Sequence, residues 1–219
     1  MSKDNFFVPE NLVENSEKIH LSQSKKYSLF ISEYTTKEGC WSYSRGVVKH
    51  KNGNIIADIK RNYNHFPFHW VENHPNKHDY LICGEDYQGQ TIIELDTEKR
   101  KDYLSKNAEN GFGFCWVSMK ASPNKQVLAV NGCVWGSPYE VLFVDFSDPL
   151  KGLPYLKNQP EDYSEFYSWN DDGTANIGHE EIRRKSDGKR SIDLTDEEED
   201  KMYDNNDYEE VLVKTIWTV

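Results

Sequence analysis

Two ten-residue phrases, PNKHDYLICG at 75–84 and PNKQVLAVNG at 123–132, share proline, asparagine, lysine and a closing glycine at an offset of 48 residues. The likeness runs beyond them. Upstream, FHWV (68–71) faces FCWV (114–117), and downstream, TIIELD (91–96) faces EVLFVD (140–145). Each unit reads as a strand with tryptophan, a Pro-Asn-Lys turn, an apolar strand closing on Gly84 or Gly132, a loop, and a further strand closing on Asp96 or Asp145. Proline presets φ for the turn, and asparagine bonds its own backbone. The runs YLIC and VLAV are short, apolar and bounded by turn residues, as in strands covered on both faces. TIIEL and EVLFV are rich in β-branched or aromatic residues, another mark of strands.

Weaker copies flank this pair. SKKYSLFISEY (24–34) has the turn and second strand of an earlier unit, and RGVVKHKNGNIIADI (45–59) is a hairpin around Lys51-Asn52-Gly53-Asn54. Asn-Gly is the strongest short hairpin signal. FYSWNDDGTANIG (166–178) and EEIRRKSDGKRSI (180–192) supply a later unit. The expectation is one all-β domain over 1–219, a small propeller-like array of about four antiparallel sheets, with units near 22–63, 64–106, 111–157 and 163–219. Several strands per unit at a period in the forties is the signature of blades that stack because none buries its faces alone. The strand candidate VLVKTIWTV (211–219) is expected to pair with the N-terminal strand and close the ring, which would remove open edges. The alternative is a ring completed by a second copy of the chain. One helix is expected near the C-terminus, in LTDEEEDKMYDN (194–205), where Thr195 and Glu198 form a capping box and acids fill the first turn.

The Ser-Pro-Asn turn at 122–124, the strand after it and the strand closing on Asp145 resemble tryptophan–aspartate repeat propellers, although no unit opens on Gly-His or closes on Trp-Asp. That resemblance covers about 130 residues, from Tyr27 to Leu156, and implies architecture without a function. The combination of CWSYSRG (40–46), NYNHFPFHW (62–70), GEDYQGQT (84–91) and GFGFCW (111–116) is similar to uncharacterised bacterial soluble proteins, a likeness that brings no activity with it.

Charge narrows the partners. The net charge is -11, and its distribution is uneven: 161–210 holds 18 acids and 6 bases, while the remainder holds 19 acids and 20 bases. Such a surface repels phosphate backbones, so nucleic acid is not an expected partner, whereas a basic protein is. No apolar run approaches the ~18 residues of a membrane span, and the N-terminus lacks the apolar stretch of a signal peptide. With four dispersed cysteines and no CxxC pair, the expectation is a reduced, cytoplasmic, soluble chain with no metal or cofactor.

Candidate binding residues come from departures between the two clear units. The loop GEDYQGQ (84–90) sets Glu85, Asp86, Tyr87 and Gln88 in one polar-aromatic run, and GCVWGSPYE (132–140) contributes Trp135 and Glu140. Loops on a rigid β scaffold are where binding residues concentrate. Arg45 and Arg61 join them because arginine, tyrosine and tryptophan dominate binding hot spots, and a buried arginine demands a partner, for which Glu85 is a candidate. His69 belongs to the cluster His65, His69, His74 and His78. In a strand His65 and His69 lie ~13 Å apart, too far for one zinc ion. No serine elbow, phosphate loop or Cys–His arrangement occurs. The leading expectation is a non-enzymatic binding protein that presents loops to a protein or small ligand. The alternative is a hydrolase using Glu85, Asp86 and His69 or His74 around one face; a carboxylate pair completed by Glu140, as glycosidases require, is a separate arrangement. A structural subunit forming half of a larger ring is the third.

Overall fold

A computed structural model describes residues 3–160 and 163–219; Met1, Ser2, and Glu161 and Asp162, with which the acidic block begins, lie outside the described residues. Among the described residues fourteen strands form four antiparallel sheets, each a meander taken in chain order. The first sheet is β1 (Lys18–Leu21), β2 (Tyr27–Tyr34), β3 (Tyr43–His50) and β4 (Ile55–Arg61). The second is β5 (His69–Val71), β6 (Tyr80–Cys83), β7 (Gly89–Glu94) and β8 (Lys99–Leu104). The third is β9 (Phe114–Ala121), β10 (Val127–Val134) and β11 (Glu140–Asp145); the fourth is β12 (Glu165–Trp169), β13 (Ala175–Arg184) and β14 (Tyr208–Trp217). This is the propeller-like all-β arrangement expected from the repeat.

One turn is built four times, always between the first and second strands of a sheet. It starts at Ser22, His74, Ser122 and Asn170, whose carbonyls accept N–H bonds from Lys25, Lys77, Lys125 and Gly173 at 2.8–3.0 Å. Those four donors all sit at positive φ, between 59° and 87°. The preceding side chain, from Ser24, Asn76, Asn124 or Asp172, accepts the next amide, at 2.9–3.2 Å. A short oxygen-bearing side chain closes each turn on its own backbone, the role for which Asn, Asp and Ser are favoured.

Three apolar clusters hold the sheets face to face. Tyr27, Leu29, Val48 and Ile59 of the first sheet meet Leu81, Cys83 and Ile93 of the second. Tyr80, Ile82 and Ile92 on the other face of the second sheet meet Trp116, Met119, Leu128 and Val130 of the third. Ala129, Val141 and Phe143 then meet Ala175 and Ile177 of the fourth. Alternate residues of β6 therefore serve two different cores, which is why YLIC is apolar at every position. Fully burying one such Leu or Ile contributes about 1.5–3 kcal/mol. Polar staples supplement the cores: Glu72 accepts from the Ser22 hydroxyl at 3.2 Å and the Ser24 amide at 2.9 Å, and Asn131 donates to Ser164 O, just before the fourth sheet, and accepts from Phe166 N within it.

The expected ring closure does not occur. β14 pairs with β13 over ten residues, from Ala175↔Trp217 to Arg184↔Tyr208, and β1 pairs with β2. The long local hairpin satisfies the ladder that closure would have used. None of the three clusters joins the fourth sheet to the first, so among the described residues the array is open. The helix α1 (Asp196–Asp204) lies between β13 and β14, with the Thr195–Glu198 capping box formed in both directions. No helix among the described residues is long and apolar enough to cross a membrane.

Candidate functional site

The loops at one end of the first three sheets converge on a cleft of about 230 Å³, lined by Arg61, Tyr63, His65, Tyr87, Cys115, Trp116, Val117, Cys133, Trp135 and Tyr139. Its rim is aromatic. Tyr63 lies 5.2 Å from Trp41, 5.9 Å from Trp135 and 6.2 Å from Tyr87, ring centre to ring centre; Tyr87 and Trp135 are 5.5 Å apart. Tilted and edge-on packing at these distances is the favourable arrangement of aromatic quadrupoles. Trp135 nevertheless stays 53% exposed, a large apolar surface left in water.

Asn62 organises this rim. Its N–H donates to Glu85 O at 2.9 Å, its Nδ2 donates to Asp86 Oδ2 at 2.8 Å, and its Oδ1 accepts from Tyr87 N at 2.9 Å. Its carbonyl accepts from the Trp41 indole at 3.1 Å. One side chain thus ties the end of β4 to the β6–β7 loop and positions two of the rings.

Arg61, at the end of β4, is 2% exposed. Its Nε donates to His65 O at 2.7 Å, and its Nη1 donates to Gly84 O at 2.7 Å and Asp86 O at 2.9 Å. Its partners are therefore carbonyls, and the expected partner Glu85 pairs with Arg100 at 3.0 Å instead. Burial pulls the guanidinium down to about 10, opposed by the fields of Cys83, Asp86, Cys115 and Tyr63. It remains a cation at neutral pH.

Cys115 and Cys133 face each other across the β9–β10 ladder as free thiols. Burial pushes Cys115 up to about 11 and raises Cys133 as well, so both are protonated near neutrality and neither is an activated nucleophile. His65 Nε2 sits 3.0 Å from Val117 O. Among the described residues no carboxylate lines the cleft.

Of the residues singled out from the sequence, the structure brings Arg61, Tyr87 and Trp135 together in this cleft. Glu85 and Asp86 line a different depression with Thr91 and Asp102, where Asp86 accepts from Gln88 N at 2.8 Å as a turn support. Gln88 is buried, bridging Ala108 O and Gly113 N. Glu140 is exposed at the start of β11. Arg45 makes a two-pronged pair with Asp58 of β4, at 2.8 and 2.7 Å. His69 lies in β5, where its Nε2 accepts from Ala121 N at 3.1 Å; burial, aided by Lys120, drops it to about 4. His74 likewise serves the fold, with Nε2 3.0 Å from Phe146 O. Sequence reasoning passed over Tyr139, Cys133 and Asn62. The first two lie in the loop GCVWGSPYE and were hidden among residues that also suit a turn. Among the described residues no group of three or more His, Cys, Asp or Glu is placed to hold a metal ion. The acidic block sits on the fourth sheet and α1, where Arg183, Arg184 and Arg190 pair with Glu181, Asp187 and Asp193.

No protein-family model matches this chain. An uncharacterised protein of Acanthamoeba polyphaga mimivirus is 40% identical over 163 residues, which covers 72% of this chain and 62% of that protein. The chain thus spans less than two thirds of this relative's length, and the relative is viral, where the sequence motifs suggested a bacterial likeness. Among solved structures, a GH43 endo-arabinanase from Bacillus licheniformis superposes over 98% of this chain and 78% of its own at 9% identity and a TM-score of 0.36. Agreement that loose bears on neither fold nor activity here.

Proposed function

We propose that this protein is a non-enzymatic binding module whose loop-face cleft takes a small ligand. The observation that carries this reading is the composition of the lining among the described residues: five aromatic side chains, one buried arginine, an imidazole and two protonated thiols, with no carboxylate. A largely apolar concavity with a few convergent polar groups is the usual form of a small-molecule site. At about 230 Å³ it is below the usual ~300–1,000 Å³, which limits the occupant to one ring or two fused rings. Hydrolysis by paired carboxylates finds no support in this arrangement, since Glu85 and Asp86 are spent on Arg100, Asn62 and Gln88 outside the cleft.

A thermal-shift screen of small aromatic, sugar and nucleoside compounds tests the reading, run in parallel on the native chain and on Trp135→Ala and Tyr139→Ala. A ligand of the folded state raises the melting temperature by mass action. Compounds that stabilise the native chain should lose that effect in both variants. Stabilisation that persists in both variants, or none from the whole screen, refutes the cleft as a ligand site.

A further inference from the structure

The cleft's polar chemistry is lopsided, and this identifies what it takes. Arg61 is almost wholly buried, and three carbonyls occupy its Nε and Nη1. Nη2 makes no hydrogen bond among the described residues. Among the described residues the enclosed side-chain donors without partners are the Trp70, Trp116 and Trp217 indoles and His179 Nδ1; Arg61 Nη2 is not one of them, so it is not wholly enclosed, and the cleft is the concavity its side chain lines. The carboxylate whose field reaches Arg61, Asp86, is held by Asn62 and Gln88 in the neighbouring depression. A buried cation with a free donor thus lines the same cleft as the rings of Tyr63, Tyr87 and Trp135.

We infer that the ligand is a planar aromatic carboxylate, with its ring against Trp135 and Tyr87 and its carboxylate on Arg61 Nη2. This rests on the cleft being a ligand site, as proposed above. A charge-assisted bond between guanidinium and carboxylate is among the strongest single contacts available to a small ligand. An ammonium ligand held in an aromatic cage is disfavoured on two counts. The rings meet one another tilted or edge-on at 5.2–6.2 Å, rather than facing a common centre as the walls of a cage do, and Arg61 repels a second cation.

A matched ligand set tests this by titration calorimetry on the full chain: 2-naphthoate, 2-naphthamide and 2-naphthylmethylammonium, which share a ring system and differ in charge. The native protein should bind the carboxylate at least tenfold more tightly than the amide, with the ammonium weakest. Trp135→Ala should weaken carboxylate and amide alike, by fivefold or more. Arg61→Gln should erase the preference for the carboxylate; if that variant fails to fold, the native ligand series and Trp135→Ala still decide the matter. Equal or tighter binding of the amide or the ammonium overturns the anion assignment but leaves the cleft a ligand site. Carboxylate binding untouched by Trp135→Ala overturns both readings. Binding of none of the three overturns the assignment, while hits from the thermal-shift screen would keep the site.

Discussion

Replacing Ile177 by alanine probes how the sheets hold together. Ile177 lies on β13 and is fully buried against Phe143 and Val141 of the third sheet. Truncating a buried isoleucine to alanine costs about 2–5 kcal/mol, less where the surroundings can collapse into the gap. Among the described residues the fourth sheet has no apolar cluster on its far side, so it can settle inward, and about 3 kcal/mol is the working figure. In an open array, stability is a sum of unit and nearest-neighbour terms, so this loss falls on the last interface alone. Three kcal/mol corresponds to roughly a hundredfold in the local opening equilibrium. Amide hydrogen exchange read by mass spectrometry should therefore show β12, β13 and β14 exchanging about a hundredfold faster. β6 and β7, two interfaces away, should keep their protection within about threefold. An equal loss of protection in β6 and β7 would refute the open array and mean that the first and fourth sheets are coupled after all.

Three further outcomes follow from particular residues. Gly132→Ala sets a Cβ against the Cys115 carbonyl and the Phe114 ring at the β9–β10 bulge, and should cost about 2–3 kcal/mol in urea unfolding; Gly136→Ala, at positive φ in open space, should cost about 1 kcal/mol. His69 titrates near 6.5 when unfolded and about 4 when folded, so the unfolded chain binds the extra proton between those values. Stability is fully present above pH 6.5, declines as pH falls toward 4 and levels below it; His69→Gln should flatten that slope in denaturation midpoints taken at pH 7.5 and 5. Asp86→Ala removes the acceptor for Asn62 Nδ2 and Gln88 N and should lower stability by about 1–2 kcal/mol, whereas a change in naphthoate affinity with unchanged stability would contradict its role as a turn support.

The repeat was legible where the chain is covered on both faces. Sheets two and three are flanked on each side, so YLIC and VLAV are apolar throughout and their echo stands out. Sheets one and four bury one face only. Their strands alternate, as β14 does with Leu212, Lys214 and Ile216 exposed between half-buried neighbours, and the echo fades into polar substitutions. The fourfold turn shows the same dilution: its side-chain acceptor is Ser, Asn, Asn and Asp, and Pro precedes it only twice. Capping geometry is local, so Thr195 and Glu198 disclosed the helix at once. Ring closure failed for the opposite reason, because strand pairing across 200 residues is not written in either strand. Within the cleft, Arg61, Tyr87 and Trp135 were picked out by residue type, but Glu85 and Asp86 misled, since a run of polar groups looks the same whether it faces a ligand or supports its own turn.

The walls of the cleft belong to three successive meanders that otherwise meet through their flanks. An occupant seated there is gripped across two junctions at once, as a wedge bridges neighbouring staves. Slippage at either junction would loosen that grip, and a well-fitting occupant would in turn resist the slippage. Mutations deep in either flank, far from any contact with the guest, should therefore shorten its residence time.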